Sequence, residues 1–309
     1  MVRRTIGGNL RRDEREWFQL LLTWRGSVIP AIFPRVMFCG GFGFFVSLLH
    51  YWNYDVSLPI LSSVVPSIVL GLLLVFRTNT AYEKFWEGRK LWGTLVNTVR
   101  NLARTIWVAV EEEETQDRHE KIQVLRLLVA FSIATKLHLR SEPVNSELAA
   151  YLPSEWHGKL NGRSNPPLGI AFWISNYLQK QYEQNHLNSY QLASLFKLLD
   201  TMVDVLGGCE RILKTPIPLA YSIHLKQLLL IYCLTLPFQI VMELTWWTAP
   251  IVSVISFAVF GIEEIGIEIE NPFGHDPNDL ALDAICRTMA ANIDELIRLA
   301  PVARHWHKD

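Results

Sequence analysis

The sequence contains no nucleophile elbow, no glycine-rich phosphate loop and no HExxH helix. That removes the commonest signatures of hydrolases, nucleotide-triphosphate enzymes and zinc peptidases. Cysteine is scarce. Cys39, Cys209, Cys233 and Cys286 share no metal or redox spacing, so they read as free thiols. A charge surplus is also missing: 29 basic and 30 acidic residues leave a net charge of −1, whereas a nucleic-acid binder carries a basic excess. The opening MVRRTIGGNLRRDEREWF lacks the apolar core of a cleavable signal, and its acidic residues speak against a transit peptide. His119, His138 and His157 stand without partner spacing and read as surface or core histidines. The acidic run Glu111 to Glu114 reads as a solvated helix end rather than a cation site.

What is abundant is apolar. Half of the 309 residues are hydrophobic, with 11 tryptophans and 15 phenylalanines, and the mean hydropathy is +0.17. Val56 to Phe76 carries no charge at all, enough chain to cross a hydrocarbon core of about 30 Å as a helix. Ser27 to His50 is broken only by Arg35 and by Pro30 and Pro34, and Leu244 to Ile262 is uncharged throughout. Gln227 to Met242 is shorter and borrows length from Tyr221 to Lys226. Four such runs, paired as two hairpins, predict an all-α membrane protein. The linkers Tyr51 to Asp55 and Glu243 to Trp247 contain no Lys or Arg, while the N-terminal arm and the stretch after Phe76 are basic. The positive-inside rule therefore puts both termini and the middle of the chain in the cytoplasm. The expected organisation is an arm over 1–26, a first hairpin over 27–76 whose second helix continues into the cytosol, a helical cytosolic domain over 77–220, a second hairpin over 221–262 and a cytosolic segment over 263–309.

Within 77–220, KIQVLRLLVAFSIATKLHLR (Lys121 to Arg140) and YQLASLFKLLDTMVDVLGG (Tyr190 to Gly208) have helical spacing, the second with Gly207 and Gly208 as a stop signal. The spans hold almost nothing ionisable, and an intramembrane enzyme would carry paired carboxylates or histidines there. A pore or a structural role fits better than catalysis.

The stretch SIVLGLLLVFRTNTAYEKFWEGRKLWG (Ser67 to Gly93) changes from apolar to charged with no turn residue at the change. Ile68, Leu72 and Phe76 recur every four residues on one helix face, with Ser67, Gly71 and Val75 beside them, small enough for close helix packing. On spacing alone the three large side chains touch lipid or a partner helix as readily as they line a path. An apolar constriction opening into a polar vestibule has this profile, and one chain has too few helices to enclose it, so a ring of copies is required.

LTWRGSV (Leu22 to Val28), FRTNTAYEKFWEGRKLWG (Phe76 to Gly93), LGGCERILKTPIPLAY (Leu206 to Tyr221) and IENPFGHDPNDLALD (Ile269 to Asp283) together resemble the bestrophin family of ion channels, particularly its prokaryotic branch. The resemblance implies a homopentamer in the plasma (inner) membrane around one central pore, four membrane helices per subunit, both termini cytosolic and no enzyme activity. It implies a neck at Ile68, Leu72 and Phe76 and a cytosolic restriction at Tyr190. It also implies passage of monovalent anions such as chloride and bicarbonate, with a monovalent cation (sodium or potassium) channel on the same scaffold as the alternative. Charges after the neck, Arg77, Glu83, Lys84 and Glu87, would have to discriminate. No cofactor is required by the resemblance. Animal members hold calcium in an acidic clasp after NPFG, and here Asn271, Asp276, Asn278 and Asp279 are the matching oxygen donors, with His275 and Pro277 at two other positions. Calcium takes six to eight oxygens, so this degenerate set is weakened. Otherwise Asp276 and Asp279 cap a helix beginning near Leu280. A secondary transporter and a membrane scaffold are the competing classes, the first disfavoured by the absence of repeat symmetry.

Overall fold

The computed structural model describes residues 23–24, 26–57 and 64–299. Most of the N-terminal arm, the start of the second apolar run (58–63) and the tail from 300 lie outside the described residues. Among the described residues all regular structure is helical: α1 (Ile29–Tyr51), α2 (Val65–Ala109), α3 (Thr115–Leu139), α4 (Ser146–Ala149), α5 (Ser154–Leu160), α6 (Pro166–Glu183), α7 (Ser189–Lys214), α8 (Leu219–Leu244), a 3-10 turn at Thr245–Trp247, α9 (Thr248–Glu268) and α10 (Leu282–Leu299). The chain forms two compact units. One comprises the chain through Glu83 with Ile217–Glu270 and Asp276–Asn278; the other comprises Lys84–Pro216, Asn271–His275 and the chain from Asp279.

The first unit is the membrane-type bundle. α1 and α9 run antiparallel and close together because α1 presents glycine where they meet. A Cβ on Gly40 would stand 2.2 Å from Ser253 Oγ, and one on Gly43 would stand 3.3 Å from Ala249 Cα. Ser47 donates its hydroxyl hydrogen towards the carbonyls of Gly43, at 3.0 Å, and Thr245, at 2.9 Å, which closes the far end of the pair. Ile32, Cys39, Leu70, Leu74, Leu229, Cys233 and Phe260 form the core. The outer faces are as apolar as the core: Phe33, Met37, Phe44, Phe45, Ile231 and Val254 are exposed, which is how a helix bundle in lipid is built. Tyr51 and Trp246 meet with ring centroids 5.5 Å apart at the hairpin ends. α1 and α8 run through Pro34 and Pro237 without a break.

The second span differs from its sequence expectation. Val56 and Ser57 are not helical and α2 begins at Val65. From Val65 to Phe76 the helix rises only about 18 Å. The first unit extends along this helix to Glu83, into the charged stretch. A Cβ placed on Gly71 would meet no described residue of the subunit within 4 Å.

The second unit is built around α3. Leu125, Leu128, Phe131, Ile133 and Leu137 point in different directions and are all buried, so α3 is a core helix apolar on every side rather than an amphipathic surface helix. Trp92, Leu95, Leu102 and Ile106 of α2, Ile174 of α6 and Met289 of α10 belong to the same core. Glu114 caps α3 in a reciprocal capping box with Asp117, which gives the acidic run a structural role. α7 continues past Gly207 and Gly208 to Lys214. The expected stop fails because a Cβ at Gly208 would come within 3.0 Å of Leu91, so this glycine permits a close helix crossing instead of ending the helix. α10 starts at Leu282, two residues later than the sequence suggested.

Two lysines lie inside this core and each is answered. Lys121 donates to the Val110 carbonyl at 2.6 Å and pairs with Glu112 at 2.6 Å; burial pulls its ammonium below the ordinary lysine range and Glu112 pulls it back. Lys136 pairs with Asp283 at 2.7 Å and Glu147 at 2.6 Å, and Arg140 reaches Asp283 at 3.0 Å. The hydrogen bond from Lys136, with Arg140 behind it, holds the Asp283 carboxyl down to about 2. A carboxyl depressed on folding stabilises the fold above its unfolded value and loses that contribution as pH falls. Asp283→Asn is therefore expected to lower the melting temperature at neutral pH, with the gap to wild type closing between about pH 4 and pH 2. A gap that stays constant across that range would remove the ion pairs as its cause.

Candidate functional site

α2 carries the candidate path. It runs for 45 residues with no proline beyond its first turn, about 68 Å of continuous helix. Its two faces are sharply different over the first five turns. Leu70, Leu74 and Ala81 are buried against the subunit, together with Arg77. Ile68, Leu72 and Phe76 point away from it and are 56%, 54% and 62% exposed. Val65, Val69 and Val75 are exposed beside them. The result is a two-to-three-turn apolar stripe that none of the described residues of the subunit covers. Tyr221 fixes the helix from the buried side by donating its hydroxyl to the Leu73 carbonyl at 2.7 Å.

Beyond Phe76 the same helix line turns polar through Asn79, Glu83 and Trp86, all exposed. The structure sorts the four charges that sequence alone left together. Arg77 is 4% exposed, and its Nη2 donates to Glu270 at 2.7 Å. Lys84 donates to the Thr215 carbonyl at 2.8 Å, and Arg211 pairs with Glu87 at 2.5 Å. Glu83 makes no ion pair with any described residue. It follows Phe76 by about two helical turns on the line of the apolar stripe. Of the four, it is the exposed charge on the line of the candidate path.

Glu270 was not singled out by sequence reasoning. Its carboxylate accepts from Arg77 on α2 and from the backbone N–H of Ile217 at 2.7 Å, so it joins α2, the entry to α8 and the end of α9. The visible signals were a lone arginine at the end of an apolar run and the IEN triplet, but nothing in either names the other.

Tyr190 is the second residue of α7 and 88% exposed, beside the capping box formed by Asn188 and Gln191. The four oxygen donors considered for calcium divide between the units: Asp276 and Asn278 belong to the first, Asn271 and Asp279 to the second. Asn278 turns its amide nitrogen towards the Gly26 carbonyl, at 3.3 Å, and the Glu268 carboxylate, at 2.7 Å. Asn278 thus acts here through its N–H groups and not as an oxygen donor. The Asn271 side-chain oxygen accepts from the Phe273 N–H at 3.3 Å. Among the described residues no three His, Cys, Asp or Glu side chains converge as a metal site.

The family model described as Bacterial/Fungal Bestrophin protein matches residues 9–295. A voltage-dependent anion channel-forming protein of Synechocystis is 63% identical over 297 residues, covering 96% of this chain and 95% of its own. A protein of the same description from Nostoc is 62% identical over 291 residues, covering 94% and 95%. Among solved structures, a bacterial bestrophin homologue from Klebsiella pneumoniae superimposes with a TM-score of 0.80 at 29% identity, covering 87% of this chain and 100% of the other.

Proposed function

This chain belongs to the bacterial and fungal bestrophin family of ion channels, and on that premise we propose that five copies surround one pore that passes monovalent anions, chloride or bicarbonate. Ile68, Leu72 and Phe76 form its neck. The observation that carries the reading is the uncovered apolar stripe on an unbroken helix that leads directly into a polar, exposed continuation. Rings of these side chains make a constriction that holds ions up by dewetting and discriminates little by charge. The relatives' description as anion channel-forming proteins supports the anion. Tyr190, exposed at the start of α7, forms the second restriction in the cytosol. The channel sits in the plasma membrane with both termini on the cytosolic side, as the lysine and arginine distribution favours.

One observation favours a cation instead: Glu83, the one of Arg77, Glu83, Lys84 and Glu87 that makes no hydrogen bond or ion pair with a described residue, is negative. The test is the zero-current voltage of purified channel in a planar bilayer under a tenfold potassium chloride gradient. The chloride and potassium limits then lie about 59 mV on either side of zero. A value towards the chloride limit supports the anion channel, and Glu83→Gln should move it further that way. A value towards the potassium limit overturns the anion reading and makes the Glu83 ring the selective element. Because Asn278 donates its amide N–H groups to Gly26 and Glu268 rather than offering an oxygen, calcium chelation is expected to leave the current unchanged. Loss of current on chelation, restored by calcium, would reverse that expectation.

A further inference from the structure

We infer that the membrane bundle carries a binding site for an anionic phospholipid, between α1, α8 and α9 at the end where α1 and α8 begin. A cleft of about 480 Å³ opens there, lined by side chains of these three helices. Its chemistry is ordered by depth. On α1, Arg35 precedes Phe38; on α8, Lys226 precedes Leu230; on antiparallel α9, Glu263 follows Phe260. On each helix the ionised residue therefore lies about one turn towards the same end of the bundle, and the apolar residue one turn deeper. A phospholipid presents that order, phosphate first and acyl chain behind it.

The charges favour a phosphate. Arg35 directs Nη1 to Glu264 at 2.8 Å and to Glu263 at 3.4 Å. Its Nε and Nη2 are left available. Lys226 is exposed and forms no ion pair with any described residue. Arg35 and Lys226 thus both line the cleft; Glu263 and Glu264 are hydrogen-bonded through one arginine nitrogen, and Glu263 also feels the Lys226 charge. Phe38, Leu230 and Phe260 form an apolar wall for one acyl chain. A basic residue at this level of a membrane helix attracts anionic headgroups, and an arginine fork suits phosphate oxygens. The inference does not rest on which ion the channel passes, or on where its pore lies.

The test is native mass spectrometry of the full-length assembled channel, delipidated in detergent and titrated with phosphatidylglycerol or with phosphatidylcholine of the same chains. Wild type is expected to retain phosphatidylglycerol in preference, up to one per subunit. Lys226→Ala should weaken that retention by about fivefold while leaving phosphatidylcholine unaffected. Leu230→Trp fills the apolar part of the cleft and should abolish retention of the same lipid. Equal retention of the two lipids by wild type, or phosphatidylglycerol retention unchanged in Lys226→Ala, would overturn the proposal. So would loss of assembly in Leu230→Trp while Lys226→Ala assembles and retains lipid normally, since the cleft would then be covered by a neighbouring subunit. Lys226 is an exposed side chain that makes no hydrogen bond or ion pair with any described residue, so Lys226→Ala is the variant expected to fold in every case.

Discussion

Replacing Ile68, Leu72 and Phe76 together by alanine is expected to raise single-channel conductance and to shift the permeability ratios among ions of different size. All three side chains leave the subunit surface rather than fill its core, so their truncation opens no internal cavity. Fold and assembly should be largely preserved. In a pore the same truncation widens the ring at three successive turns and lets water remain in it. If the barrier to transit falls by about 1 kcal/mol, current rises about fivefold. Single-channel recording in symmetric potassium chloride reads this directly. Conductance and permeability ratios equal to those of wild type would show that the stripe faces lipid or a neighbouring helix and lines no path. The single variant Phe76→Ala tests the inner end separately, next to the polar turns that begin at Arg77.

Glu270→Ala is expected to cost the most stability. It strips Arg77, which is 4% exposed, of its carboxylate partner and leaves the Ile217 N–H without its acceptor. Breaking a buried pair from one side costs about 3–5 kcal/mol, because the remaining charge is uncompensated. The variant should melt well below wild type in detergent and yield less assembled channel. Glu270→Gln, which keeps an acceptor oxygen, should fall between the two. Combining Arg77→Met with Glu270→Leu should recover part of the loss by leaving no buried charge, though not the hydrogen bond to Ile217. If Glu270→Ala melts with wild type, the pair is not what joins these three segments.

The stripe on α2 was legible because two signals agree there. Apolar residues recur at helical spacing, and polarity changes without a turn residue. The partner of Arg77 was not legible, because Glu270 lies far away in sequence and pairing over that distance leaves no local pattern. Gly207 and Gly208 misled for a physical reason: the glycine that ends a helix and the glycine that lets two helices touch look alike in sequence. α3 shows the same ambiguity at larger scale. Thr115–Leu139 is long and apolar enough to cross a membrane, yet it is the centre of the second unit, with Lys121 and Lys136 held inside it by named carboxylates. Those two lysines were the visible sign that this helix does not belong in lipid.

The uncovered face of α2 also bears on how the channel is made. A newly inserted subunit can present Ile68, Leu72 and Phe76 to acyl chains at little cost, since lipid is as apolar as leucine. Hiding that face from water is therefore not what brings copies together. Recruitment has to come from shape and from the polar turns beyond Phe76, which lipid solvates poorly. If the stripe lines the pore as proposed, a lone subunit in the bilayer carries lipid on that face, and the lipid has to be displaced before a ring of copies can close and conduct.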